Sequence, residues 1–336
     1  MINFFNEKLK YYSGYESFCY QNSLRLILES YGIEYAPLYI NAALSLNVDI
    51  DNNLTIKFFF AQHSRSFLPE YASKDNRIYY PLNVNPLEVF KENMEMVNNN
   101  KTAIIVGTDL FYLPYLDYYH KRHGSHTLIL CGSDIDNNMV DIVDWYEPWF
   151  YKGKMDKSEF ILSRNSLNPK DSHFYSGNPI RNNWTEISRN GWETQPEHLI
   201  RTVLQLSNQQ FFETDNNGHL CFKKIIKILE DFANDNGTHK EIMKTIHMGF
   251  FQVSKRFKFF KQYLEIAQRY NCKSEVIVIS LEEYICIFEN LLMLLYKMTM
   301  IDSTNTLERA IEKLRMLDKM HDRIYANITE IEKSMR

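Results

Sequence analysis

The chain has 336 residues, enough for one large domain or two of ordinary size, and 45% hydrophobic content with 22 Tyr and 22 Phe supplies core material for either. Thirty-eight Lys and Arg against 42 Asp and Glu leave a formal charge of −4, without the basic excess that marks a nucleic-acid binder. Residues 1–8 carry no apolar run of the secretory-signal type. The most apolar region, 276–301, is interrupted by Glu282, Glu283, Glu289 and Asn290; it reads as a core helix, since a membrane span needs about 20 nearly unbroken apolar residues. The five cysteines are scattered and include no CxxC pair, so free thiols in a reducing cytosol are expected, with neither a disulfide framework nor a zinc site.

The first expected element is a helix opening near Cys19. Leu24, Ile27, Leu28 and Tyr31 share one helical face, Ser17 is an N-cap candidate, and Gly32 is a natural stop. Cys19 therefore falls in the first helical turn. Residues 35–80 read as short helices and strands, with 54–60 as one strand. A helix led by Pro86 is expected over 85–98 and a buried strand over 102–108. Residues 126–133 and 139–144 flank the turn-forming Asp136-Asn137-Asn138, which predicts an antiparallel hairpin. Residues 169–196, rich in Asn, Ser, Gly and Pro, read as a loop or boundary. Helical patterns then cover 196–207, 222–234, 239–270, 280–300 and 306–331, the last long enough for a helix pair or a dimer contact. The layout is α+β over 1–168, then an all-helical region over 169–336.

The chemistry concentrates at three residues. A thiolate attacks where a thiol does not, and the free N–H groups and positive dipole end of a helix start stabilise that anion and an oxyanion formed beside it. Cys19 has this position; the other four cysteines read as inert core thiols. The hairpin brings the start of one strand beside the end of the next, making neighbours of His126 and Asp144. A carboxylate beside an imidazole fixes its tautomer and stabilises the imidazolium. Asp144 could equally cap a strand end. His120, His123 and His126, at three-residue steps, admit a metal-binding reading, but no HExxH-type partner cluster accompanies them, and His123 falls in a loop expected to be exposed.

The segments Asp109-Leu110-Phe111-Tyr112-Leu113-Pro114-Tyr115, His126 to Ser133, and Asp141-Ile142-Val143-Asp144, with Cys19-Tyr20-Gln21-Asn22-Ser23-Leu24 upstream, resemble the N-terminal domain of the butirosin biosynthesis protein H family. The resemblance extends over roughly residues 10–165. It implies a papain-like fold with a central antiparallel sheet, and acyl transfer from a carrier-protein thioester to an amine. Related enzymes make amides in nonribosomal and closthioamide-type antibiotic pathways. Carried over, Cys19 accepts the acyl group, His126 moves its proton and later activates the amine, and Asp144 orients His126. Papain-like peptidases usually hold an oxyanion Gln shortly before the Cys; here Tyr15 and Glu16 stand there, and Gln21 follows.

Tyr112, Tyr115, Trp145, Trp149 and Gln21 are the candidates to line a substrate pocket. No cofactor or metal is expected beyond the phosphopantetheine arm of an acyl or peptidyl carrier protein, for which Lys255, Arg256, Lys258 and Lys261 form the one basic patch. A small amine would be the acceptor, and a homodimer through the C-terminal helices is a further expectation. A cysteine peptidase or amidase, and a non-catalytic binding protein on the same scaffold, stand as alternatives.

Overall fold

The structure is a computed structural model that describes residues 18–44, 46–50, 56–59, 67–99, 102–134, 136–146, 149–171, 175–212, 220–233, 240–301 and 304–335; Ser17 lies outside them. In chain order the first elements are α1 (Cys19–Ser30), β1 (Asn47–Ile50), β2 (Ile56–Phe59), β3 (Asp75–Ile78), α2 (Pro86–Asn99) and β4 (Ile104–Asp109). Next come β5 (Ser125–Asp134), β6 (Met139–Tyr146), β7 (Trp149–Asp156), α3 (Lys157–Asn165) and β8 (Trp184–Ile187). The helices α4 (Pro196–Phe212), α5 (Cys221–Ala233), α6 (Lys240–Ala267), α7 (Glu275–Met300) and α8 (Thr304–Ser334) complete the chain. The protein is α+β and mostly helical. It divides into two compact units, residues 1–36 with 70–193 and residues 37–69 with 194–336.

The first unit is built on a six-stranded sheet in the order β3-β8-β4-β5-β6-β7, antiparallel at every junction. The expected hairpin is β5–β6, longer at both ends than its apolar runs. Three elements went unread: β7, α3 and β8. β7 pairs along the whole of β6 and carries Lys152 and Lys154 outward, the charged pattern of an edge strand. β8 lies inside the stretch expected to be a loop. Its four residues are strand because β3 and β4 bracket them, and Gly107 lets the segment come close. The Gly107 N–H donates to the Asn183 carbonyl at 3.0 Å, and a Cβ at Gly107 would collide with the Asn183 side chain. The buried Arg164 guanidinium of α3 ties this entry segment down, donating to the Asn182 and Asn183 carbonyls and to Asn93 of α2.

Leu128 and Leu130 of β5, Val140 and Ile142 of β6, and Val106 of β4 form one apolar cluster with Phe90, Met94 and Val97 of α2 and Phe160 of α3. Each such side chain contributes about 1.5–3 kcal/mol when fully buried. Helix α1 packs on β4, β5 and β6. Leu24, Ile27 and Leu28 are buried as their spacing requires, but so are residues 21–23 and Arg25, so the helix is enclosed nearly all round. Arg25 is accommodated by Glu29 at 3.0 Å and Asn22 at 2.6 Å. A Schellman ending closes α1: Ile33 N–H donates to Leu28 O at 3.1 Å and Gly32 N–H to Glu29 O at 3.0 Å. Gly32 sits at φ +80°.

The second unit contains the β1–β2 hairpin and α4 to α8. Phe222 of α5, Phe250 and Phe257 of α6, and Tyr284 and Phe288 of α7 gather around the buried His321 of α8. α8 is one unbroken helix of 31 residues. α7 is a helix as expected but not a fully buried one: Val276, Ile279, Met293, Tyr296 and Met300 are exposed. Among the described residues no helix is long and apolar enough to cross a membrane.

Gly32→Ala forces an L side chain into the left-handed region, which costs about 1–2 kcal/mol. A lower denaturation midpoint is the expected result in a urea or thermal titration; an unchanged midpoint would contradict the Gly32 stop.

Candidate active site

Cys19 is the first residue of α1, following Phe18 in extended conformation (φ −131°, ψ 96°) with no side-chain cap. The first intrahelical bond runs from Asn22 N–H to Phe18 O at 2.9 Å. Helix geometry therefore leaves the amides of Cys19, Tyr20 and Gln21 without an intrahelical acceptor, beside the sulfur. All five cysteines are free thiols, and Cys19 alone combines dense surroundings with partial exposure. Cys131 and Cys221 are buried and their thiols are pushed up by burial, Cys272 to about 11 for the same reason. Cys286 is exposed rather than in the core.

His126 is the second residue of β5, and Asp144 lies two residues before the end of β6. Because the hairpin extends past both, the two residues sit diagonally across the ladder. The Nε2 of His126 lies 2.9 Å from each carboxylate oxygen of Asp144. The side chains are 4% and 2% exposed, dry enough for the pair to act at low effective dielectric. The His126 imidazole is also the main group that lowers the Cys19 thiol; with Nε2 committed to the carboxylate, Nδ1 is the nitrogen left for the sulfur. The backbone and hydroxyl of Thr127 also favour the anionic sulfur, and the buried hydroxyl has no hydrogen-bond partner.

The electrostatics follow from this chain of contacts. Burial alone raises the Cys19 thiol, but the charge of His126, aided by Thr127, outweighs it and holds the thiol below its ordinary value of 9.0. Burial likewise disfavours the imidazolium, yet the Asp144 carboxylate and the Cys19 thiolate overcome it and lift His126 to about 10. Both shifts favour a thiolate–imidazolium pair at neutral pH, the activated state of a nucleophilic cysteine.

Two residues expected in the pocket serve this arrangement differently. The Tyr115 hydroxyl donates to Asp144 Oδ2 at 2.7 Å, and its ring stacks on Tyr151 at 4.1 Å. Burial, then the Asp144 charge, pushes the phenol well above its ordinary value, so it stays a donor and holds the carboxylate. The Trp145 carbonyl accepts from Asn22 Nδ2, linking α1 one turn past Cys19 to the residue after Asp144; its ring meets Phe150 edge-on at 6.5 Å. Gln21 is buried within α1. Tyr112 packs against Phe111 and His120, and burial and then Asp109 raise its phenol. No contact joins it to Cys19, His126 or Asp144 among the described residues. The Trp149 side chain lies outside the described residues.

The three histidines diverge. His120 stacks on Tyr119 at 4.0 Å, and His123 Nδ1 bonds the buried Asp109 at 2.8 Å; His123 is therefore half-buried, not a free loop residue. Among the described residues no cluster of three or more His, Cys, Asp or Glu could hold a metal. Asp109 also accepts from Phe111 N–H at 3.1 Å, Gly124 N–H at 3.0 Å and the Ser166 hydroxyl. This network went unread because its members are far apart in sequence, although a lone Asp ending an apolar strand was a visible sign. It fixes the connection that leads directly into His126. In the second unit, two of the four residues of the basic patch are paired with acids: Lys258 with Glu289 at 2.6 Å, and Lys261 with Glu265 at 2.6 Å and Glu282 at 3.1 Å.

The pair sets a pH signature. Iodoacetamide should alkylate Cys19 at a rate that rises through a midpoint below the ordinary thiol value, since the reactive form is the anion. Asp144→Asn removes the charge that sustains the imidazolium, so the midpoint should move to higher pH, and His126→Ala should move it further. Identical midpoints in wild type and His126→Ala would show that the imidazole does not reach the sulfur.

No protein-family model matches this chain, and no curated protein matches it.

Proposed function

We propose that the protein is a cysteine-dependent acyltransferase that forms an amide through an acyl-enzyme at Cys19. The observation that carries this reading is the continuous link from a helix-start thiol through His126 to a buried carboxylate. A helix-start thiol packed against an antiparallel sheet, with base and orienter on adjacent strands, also supports a papain-like fold. The choice of a carrier-protein thioester as donor and a small amine as acceptor rests on the resemblance of residues 19–24, 109–115, 126–133 and 141–144 to the butirosin biosynthesis protein H family.

In the first half-reaction the Cys19 thiolate attacks the thioester carbonyl, and the carbon becomes tetrahedral. Its oxyanion is met by the free amides at the start of α1. Collapse breaks the bond to the donor sulfur, which leaves as a thiol with the proton from His126. In the second, the amine attacks the acyl-enzyme, His126 takes the proton from nitrogen, and Cys19 departs as the thiolate. Asp144 keeps its charge throughout, and Tyr115 and the Asn22–Trp145 bond hold it in place. Water in place of the amine would turn the same machinery into a hydrolase.

Incubation with an acyl-pantetheine thioester is expected to add one acyl mass to Cys19, detected by intact-mass and peptide mapping, and Cys19→Ala is expected to abolish the adduct. Adding a primary amine should discharge the adduct as the amide. His126→Ala should slow both steps by about 10²–10⁴-fold. Free acid produced at a rate indifferent to the amine would assign a peptidase-like hydrolase instead, and an unmodified Cys19 would overturn the catalytic reading.

Transfer should also have a descending limb near pH 10, where the imidazolium is lost and no acid remains for the leaving thiol. Alkylation of Cys19 should show no such fall, because the thiolate persists there.

A further inference from the structure

The solvent face of α7 has a regular pattern. Its exposed positions fall at 275/276, 279, 282/283, 286, 289/290, 293, 296/297 and 300, a repeat of about 3.5 residues over a helix roughly 39 Å long. The midline is apolar at seven-residue steps: Ile279, Cys286, Met293 and Met300. Ile279, Met293 and Met300 are 66%, 72% and 58% exposed. An apolar residue every seven positions supplies one of the two seam positions of a coiled coil, the other here being Val276, Glu283, Asn290 and Lys297, and exposure of the row on a folded chain marks a partner surface.

The two flanks of this row identify the partner. On one flank Glu282 and Glu289 are bridged by Lys261 and Lys258 of α6 within the same chain. On the other, Glu283, Asn290 and Lys297 are exposed and again seven residues apart. Among the described residues neither Glu283 nor Lys297 has a salt-bridge partner. An acid and a base thus stand at equal distances on either side of an Asn. Such a strip is complementary to its own reverse: about an axis through Asn290, an antiparallel second copy sets each Glu283 against Lys297 of the partner subunit, whereas a parallel copy sets like against like.

We infer that α7 is a self-association face, and that two copies of this chain pair antiparallel through it about a two-fold axis at Asn290. The Ile279–Met300 row closes over itself, an isologous contact. Asn290 at the centre meets its symmetry mate and penalises other registers, as a single polar residue does in coiled coils. This surface is independent of the chemistry at Cys19.

Sedimentation velocity of the full chain at micromolar concentration is expected to give twice the 40.1 kDa chain mass. Glu283→Lys or Lys297→Glu alone should weaken the dimer by about tenfold or more, since each replaces two attractions with two repulsions; the double exchange should restore it. Under mild oxidation, Met293→Cys in the presence of native Cys286 should give an interchain disulfide, identified by peptide mapping. Wild-type Cys286 should not link to its mate, because the pair lies about 12 Å apart along the axis, beyond disulfide reach. A monomeric wild-type chain, a dimer untouched by either single reversal, a double exchange that fails to rescue, or a Cys286–Cys286 link would each overturn the assignment.

Discussion

The contact between His126 Nε2 and the Asp144 carboxylate, 2.9 Å to either oxygen and almost wholly out of water, is the constraint on which the rest of the site depends. It commits one ring nitrogen and leaves the other to the sulfur. It also supplies the negative charge that makes a buried imidazolium tolerable. Without it, burial would discharge both the ring and the thiol. A buried carboxylate is costly unless its oxygens are paired, and here two donors, Tyr115 and His126, converge on it. The site is thus a chain of compensations in which each group keeps its charge because the next one needs it.

The surroundings hold that chain in register. Asn22 spans from α1 to the backbone beside Asp144 and is itself fixed by Arg25, which in turn is fixed by Glu29. The helix that presents the sulfur and the strand that presents the carboxylate are therefore joined by hydrogen bonds as well as by apolar packing. On the other side of His126, the Asp109 network closes the loop between β4 and β5. Positioning residues of this kind are short polar side chains buried in pairs, and each would be a liability alone.

What the sequence disclosed was local. The 3.6-residue spacing of Leu24, Ile27 and Leu28, the stop at Gly32, the Pro86 helix and the hairpin around Asn137 all depend on residues within one or two turns of each other. The juxtaposition of His126 and Asp144 was legible because a hairpin turns sequence distance into spatial proximity. β8 was not, since Trp184-Thr185-Glu186-Ile187 owes its conformation to strands about 80 to 110 residues earlier. Tyr115 was read as a pocket wall because a proline-flanked Tyr shows no sign of the carboxylate it will meet. α7 was read as core from composition alone; only the alternation of its buried and exposed faces shows that part of it meets solvent.

The strand order carries a consequence for biosynthesis. β4 to β7 follow one another in both sequence and space, so that meander needs nothing beyond residue 156. β3, made before all of them, has no place in the sheet until β8 emerges some hundred residues later to bridge it to β4. On the ribosome the portion bearing the imidazole and its carboxylate can assemble early, while the opposite margin must wait for a four-residue insert. A chain ended at residue 168 would keep Cys19, His126 and Asp144 and yet lack the strand that bridges β3 to β4.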